Sequence, residues 1–298
     1  MPDSTAQLRR KIGSAADLQS VVRAMKAQAA ASVGQYAKSV AALGDYAHTV
    51  ELGLGACFRQ GPLAADLPAD RPAPGDRPLR AVVFGSDQGL VGRFNDTLVE
   101  YAAHSLSPQR PDLRVWAVGE RMGNSLVDGG MAPEGTFTVP ASVQAITGLV
   151  ADILVQVVGT EPSTAAPELQ LFYNRPTGGA GYEPASQRLL PLDDAWRQDL
   201  ARRPWPTSLP AELLGSPGDT LRALIREYLF VSIFRASAES LASENASRLA
   251  AMDRADRNID KMLLGLQERF HRLRQSKIDE ELSDVISGFK ALNRQTGR

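Results

Sequence analysis

Apolar positions at the two ends of this chain recur with a helical coiled-coil period. From Ala29 they return at Val33, Tyr36, Val40, Leu43, Ala47, Val50 and Leu54, four and three positions apart in turn, and Leu8, Ile12, Val22 and Met25 continue the stripe upstream less regularly. Near the other end Ile259, Leu263, Leu266, Phe270 and Leu273 keep the same spacing. After a one-residue slip, Ile278, Leu282, Val285, Phe289 and Leu292 repeat it. A heptad seam of this kind needs a partner helix, and the two ends of the chain are read as partners of each other.

The boundaries of these helices have their own chemistry. Ser4 followed three residues later by Gln7 has the spacing of a capping box, which starts a helix by occupying orphan backbone donors. Ser216, Pro217 and Asp219 mark a second start, with a serine cap, a proline at the first helical position and an acid near the positive end of the dipole. No proline follows Pro217, so about 70 residues continue as one helix on the order of 100 Å long.

Between the ends the texture changes. GPLAADLPADRPAPGDRP ends the first helix near Gly61 with proline after proline. Short apolar runs then alternate with helical patterns: 79–86, a helix from about Asn95, 113–119, and a helical stretch around 142–158. That alternation predicts a parallel sheet with crossover helices. Residues 168–175 and 186–192, joined by a glycine-rich loop, read as a closing hairpin. The expected class is α/β: a long antiparallel coiled coil of the N- and C-terminal helices plus a central Rossmann-like domain. The expected divisions are a helix at 1–60, a linker at 61–78, the sheet domain at 79–192, a linker at 193–218 and the second helix at 219–298.

Composition narrows the function. With 33 basic against 34 acidic residues the net charge is -1, which argues against nucleic acid, whose phosphates demand a basic excess. Cys57 is the single cysteine, so neither an intrachain disulfide nor a thiolate cage can form, and a reducing compartment is expected. No run reaches the roughly 18 apolar residues that span a bilayer, and MPDSTAQLRRK lacks a signal-peptide core, so any membrane role is peripheral. His48, His104 and His271 are scattered without metal-ligand spacing.

One loop invites small-molecule chemistry: Gly85 to Asn95, reading GSDQGLVGRFN, directly after the first expected strand. Glycines there can present backbone N–H groups to a phosphate. The dinucleotide fingerprint and the Walker lysine are both missing, however, so the favoured reading is a tight turn with close helix packing. No cofactor is called for.

Three segments resemble the gamma subunit of rotary F-type ATP synthases. LRRKIGSAADLQSVVRAMKAQAAASV is similar to that family's opening helix, FGSDQGLVGRFN to its strand-loop motif, and SLASENASRLAAM with RQSKIDEELSDVISG to its diagnostic C-terminal block. The resemblance covers nearly the whole chain. It implies a non-catalytic rotor shaft, with the terminal helices inserted into a ring of alpha and beta subunits and the middle domain meeting the epsilon subunit and the membrane c-ring. Ion flow would turn the shaft, at the cytoplasmic face of a bacterial plasma membrane. By motif, Arg248, Arg274 and Gln275, with Asp279 beside them, match positions that meet a beta-subunit catch loop. Met25, flanked by Arg23 and Lys26, matches a position near the beta subunit's acidic lever. Ser86, Asp87, Gly89, Gly92 and Asn95 carry the foot-domain loop.

The chain departs from the family pattern at Val91, usually Cys, at Arg93, usually Gly, and at Asp279, usually Thr. SVVRAMKAQ stands where KITKAMEMV is usual. Such departures resemble a divergent bacterial paralogue of the alternate, sodium-translocating type, although the coupling ion is chosen in the membrane subunits. Two other classes compete: a Rossmann-type nucleotide-binding enzyme, which needs a phosphate contact at Gly85 to Gly92, and a free coiled-coil scaffold.

Overall fold

A computed structural model describes residues 4–59, 78–106, 112–159, 167–178, 181–192, 194–209, 211–213 and 216–295, with side chains in the last helix described to 288. Most of the proline-rich linker, and the side chains of Phe289 and Leu292, lie outside these residues. The elements run α1 (Thr5–Arg59), β1 (Leu79–Phe84), α2 (Phe94–Leu106), β2 (Leu113–Val118), α3 (Glu120–Asp128), β3 (Gly135–Phe137), α4 (Ile146–Ile153, continued by a π-helical turn at Leu154–Val158), β4 (Glu168–Gly178), β5 (Gly181–Leu190), α5 (Asp194–Arg202) and α6 (Pro217–Gln295).

The chain divides into two units, one of residues up to Gln28 with those from Ala250 on, the other of Ala29–Leu249. In the first, α1 begins with the reciprocal cap its sequence predicts: the Ser4 N–H donates to Gln7 Oε1 at 2.8 Å and the Gln7 N–H to Ser4 Oγ at 3.2 Å. The two helices are antiparallel, because their contacts run in opposite senses. The Arg9 guanidinium lies over the Phe270 ring at 5.8 Å, Arg23 meets Asp256 at 3.1 Å, and Lys26 meets Asp253 at 2.5 Å.

The seam on α1 is more regular than its apolar residues suggest. Leu8, Ala15, Gln19, Val22 and Ala29 are all buried, so the heptad runs without a break and the apparent irregularity is a small and a polar residue at seam positions. On α6, Met252 and Ile259 are buried with Val22, and Met25, Ala251, Ala255 and Leu263 pack around them. The second half of the expected α6 seam has no such cover. Ile278, Leu282 and Val285 are 46%, 54% and 69% exposed. With Arg9 already opposite Phe270, the antiparallel partner runs out within a turn or two.

In the second unit a five-stranded sheet has the order β3-β2-β1-β4-β5, parallel except for the β4–β5 hairpin. The alternation of strand side chains splits the core in two. Ala81, Val83, Val115, Ala117 and Phe172 face α2 and α3. Val82, Phe84, Trp116, Val118, Leu171 and Tyr173 face the other way, into one cluster with Val50 and Leu54 of α1, Ile146 and Ile153 of α4, and Ile233, Leu241 and Ala242 of α6. Fully burying a leucine such as Leu54 contributes about 1.5–3 kcal/mol. The terminal helices therefore form part of the sheet's own core. Helices α3 and α5 and the three-residue β3 add to the elements expected from the sequence, α5 lying within the stretch expected as a linker.

Candidate functional site

The loop after β1 is held by its own side chains. Ser86 and Asn95 are buried and bond to each other twice: the Ser86 N–H donates to Asn95 Oδ1 at 3.2 Å, and Asn95 Nδ2 donates to Ser86 Oγ at 2.9 Å. Asp87 reaches across the loop's neighbours. Its Oδ1 accepts the Glu120 N–H at 3.0 Å and its Oδ2 the Val139 N–H at 3.1 Å, fixing the start of α3 and the segment after β3. Gly92 has φ 61°, which glycine adopts without strain, whereas Leu90 holds φ 64° at a steric cost. A Cβ at Gly89 would meet nothing within 4 Å, so its role is not one of space. Gly85 is different: a Cβ there would come within 2.4 Å of the Met122 Cβ and 2.7 Å of Asn95 Oδ1.

These contacts decide against a phosphate cradle at the head of the loop. The Gly85 N–H is spent on the Val118 carbonyl at 2.8 Å and that of Ser86 on Asn95. In a doubly wound sheet ligands enter at the carboxyl ends of the strands where the order reverses, here between β1 and β4. Helix α6 occupies that place. Ser240 Oγ donates to the Phe84 carbonyl at 3.3 Å, Ser243 Oγ to the Asn174 carbonyl at 2.9 Å, and Ser247 Oγ to the Val91 carbonyl at 2.6 Å. Asn174, itself buried, donates from Nδ2 to the Phe94 carbonyl at 3.0 Å. Three hydroxyls on one helical face thus close the strand ends, and the small residues of SLASENASRLA let the helix backbone approach them.

The same block holds two buried acids. Glu239 takes Arg235 at 2.7 Å and Arg175 of β4 at 3.5 Å. Glu244 takes Arg248, one turn on, at 2.6 Å, with side chains 6% and 15% exposed. Burial pushes the Glu244 carboxyl up, the Arg248 charge opposes the rise, and Asp87 adds to it. Arg248, expected from the sequence to be an outward contact, is thus largely covered and paired within the chain.

The remaining expected contact residues sit in the first unit. Arg23 is more than half exposed and reaches Asp256 and Asp260, Lys26 reaches Asp253, and Met25 is half-buried in the seam. Gln19, a polar residue that interrupts the apolar stripe, donates from Nε2 to Asp256 Oδ1 at 3.0 Å and to Asp260 Oδ1. Its place at a heptad position is the signal that could have found it. The Gln19 hydrogen bond, then Arg23, holds the Asp256 carboxyl below the usual range, and Lys26 does so first for Asp253. Arg274, Gln275 and Asp279 are exposed on α6.

A cleft of about 230 Å³ lies beside the loop, lined by Leu90, Gly92, Asp96, Arg121, Asn124 and Asp128. Among the described residues no group of His, Cys, Asp or Glu is placed to hold a metal ion, and no described helix is long and apolar enough to cross a membrane.

Known proteins resemble this chain over nearly its whole length. The chain is 26% identical over 292 residues to the ATP synthase gamma chain of Desulfitobacterium hafniense, covering 97% of this chain and 99% of that one. It is 28% identical over 295 residues to that of Syntrophus aciditrophicus, covering 96% and 97%. Among solved structures, a chain of the rotor of the Euglena gracilis mitochondrial ATP synthase superposes with a TM-score of 0.63 at 16% identity, over 92% of this chain and 98% of that one. A chain of the central stalk and c-ring of the Tetrahymena thermophila enzyme gives 0.57 at 19%, over 79% and 99%. The family profile described as ATP synthase matches residues 4–292, and the chain belongs to that family as a gamma chain, a non-catalytic subunit.

Proposed function

We propose that this gamma chain is the rotor shaft that couples transmembrane ion flow to the conformational cycle of beta-subunit catalytic sites. A shaft does this without bond chemistry, by making different contacts with each site as it turns, so that rotation changes which conformation each site favours. The observation that carries the reading is the apolar row Ile278, Leu282 and Val285, which continues a coiled-coil seam past the end of its partner. Such a row calls for an apolar sleeve supplied by other subunits. The ring of alpha and beta subunits is that sleeve in this reading.

Arg23, Met25, Lys26, Arg248, Arg274, Gln275 and Asp279 are proposed contacts to the beta subunits. The loop of Ser86, Asp87, Gly89, Gly92 and Asn95 is proposed to shape the surface that meets the epsilon subunit and the c-ring, the buried Ser86–Asn95 pair acting from beneath it. The divisions at 60, 78, 192 and 218 are kept as a proposed working partition into shaft and foot, and the complex is placed at the cytoplasmic face of a bacterial plasma membrane. Affinity purification of the tagged chain from its host, followed by an ATPase assay, tests the assignment. Recovery of alpha, beta and epsilon subunits with ATP hydrolysis supports it. A chain recovered without them overturns it.

A further inference from the structure

Glu244 and Arg248 are an ion pair of unusual placement. Both carboxylate and guanidinium are largely withdrawn from water, yet Arg248 keeps 15% of its side chain exposed while Glu244 keeps 6%. Among the described residues, few charged groups act on the carboxylate. Arg248 bonds to it from its own helix at 2.6 Å, Asp87 adds negative charge from the loop after β1, and Tyr36 of α1 brings a phenol. The Asp87 oxygens are committed to the Glu120 and Val139 N–H groups, so that acid is fixed in place and cannot turn away from Glu244. Tyr36 is itself buried, and its hydroxyl donates to the Pro140 carbonyl at 3.5 Å.

Removing one member of a buried ion pair costs more than the pair contributes, because the remaining charge is stranded in a medium that solvates it poorly. If a partner draws Arg248 outward, Glu244 is left buried beside Asp87 with no counter-charge. It has one inexpensive way to relieve that, which is to bind a proton from solvent at its carboxylate.

We propose that Glu244 and Arg248 form a proton-linked latch, in which Glu244 holds Arg248 against the body and takes up one proton when a partner carboxylate captures the guanidinium. Glu244 is in this account a positioning residue that acts through Arg248. The inference rests on the reading of Arg248 as a partner contact. Capture is then favoured as the pH falls, by up to about tenfold per pH unit while Glu244 is ionised before capture and protonated after it.

The test is ATP hydrolysis by the reconstituted complex from about pH 5.5 to 8.5, with wild type, Glu244→Gln, Arg248→Ala and the double variant. A neutral glutamine frees Arg248 at every pH, so Glu244→Gln is expected to match wild type at the acid end and to diverge from it at least about threefold at the alkaline end. In the Arg248→Ala background that divergence is expected to vanish, which a merely structural role for Glu244 would not produce. If Arg248→Ala turns over at the wild-type rate, Arg248 is no partner contact and both readings fall. If Arg248→Ala is slow but wild type and Glu244→Gln give parallel profiles, the contact stands and the latch is overturned. Should Glu244→Gln not assemble, Arg248→Lys decides. Its ammonium is a poorer match to the carboxylate, so the wild-type profile is expected to move to higher pH, and an unmoved profile contradicts the latch.

Discussion

Ser247 Oγ donates to the Val91 carbonyl at 2.6 Å, tying the C-terminal helix to a loop that lies 156 residues earlier in the chain. With the parallel bonds from Ser240 to Phe84 and from Ser243 to Asn174, it holds the helix against the carboxyl ends of the strands. The crevice at the reversal of strand order is filled by the protein's own helix.

Ser243→Val is therefore expected to destabilise the chain by about 1–3 kcal/mol, since the buried Asn174 carbonyl loses its donor and a larger group meets the strand ends. Thermal unfolding followed by circular dichroism measures it. The exposed Ser276→Val change is the control, with no expected shift.

Acid should loosen the paired ends of the chain. Asp253 and Asp256 have carboxyls held below the ordinary carboxylate value of about 3.9 by donors on α1. A group depressed in the folded state stabilises it above the unfolded value, and that contribution is lost as the pH falls through the folded value. Between about pH 5 and pH 2, Gln19→Ala with Arg23→Ala is expected to lose less melting temperature than wild type, having less to lose. An equal loss in both would show that these bonds do not matter.

Phe270→Lys removes the ring that packs beneath the Arg9 guanidinium at 5.8 Å and sets a like charge against it. Lower helicity and faster proteolysis near Arg9 are the expected results. Unchanged values would contradict the antiparallel register.

Ile278→Asp with Leu282→Asp should behave in the opposite way. Both side chains are about half exposed, so the isolated chain should melt as wild type does, while assembly with alpha and beta subunits weakens at least about tenfold. Pull-down with purified subunits measures it.

Much of the fold was legible because it depends on local spacing. Ser4 and Gln7 cap each other three residues apart, and the run LRAVVF is a strand whose alternate side chains feed two cores. The three residues of β3 were not legible, since no period can be measured over so short a run. Gln19 hid for another reason: a polar residue breaks an apolar stripe on paper, although in space Asp256 and Asp260 satisfy it. The serines of SLASENASR were visible as a family block, but their acceptors are carbonyls on two distant strands and in the loop after β1, and the residue names carry no trace of them. That Arg248 is largely covered could not be read from the sequence, because nothing in its spacing distinguishes an exposed i,i+4 pair from a buried one.

Rotation of the chain inside a ring of catalytic subunits is what the proposed shaft role requires. Its most direct test fixes the beta subunits of a reconstituted complex to a surface, attaches a bead to a cysteine introduced at the exposed Leu90 with Cys57 replaced by alanine, and records the bead while ATP is supplied. Rotation in one sense that stops when ATP is withdrawn is the predicted result. A bead that stays still on a complex that continues to hydrolyse ATP would contradict the account.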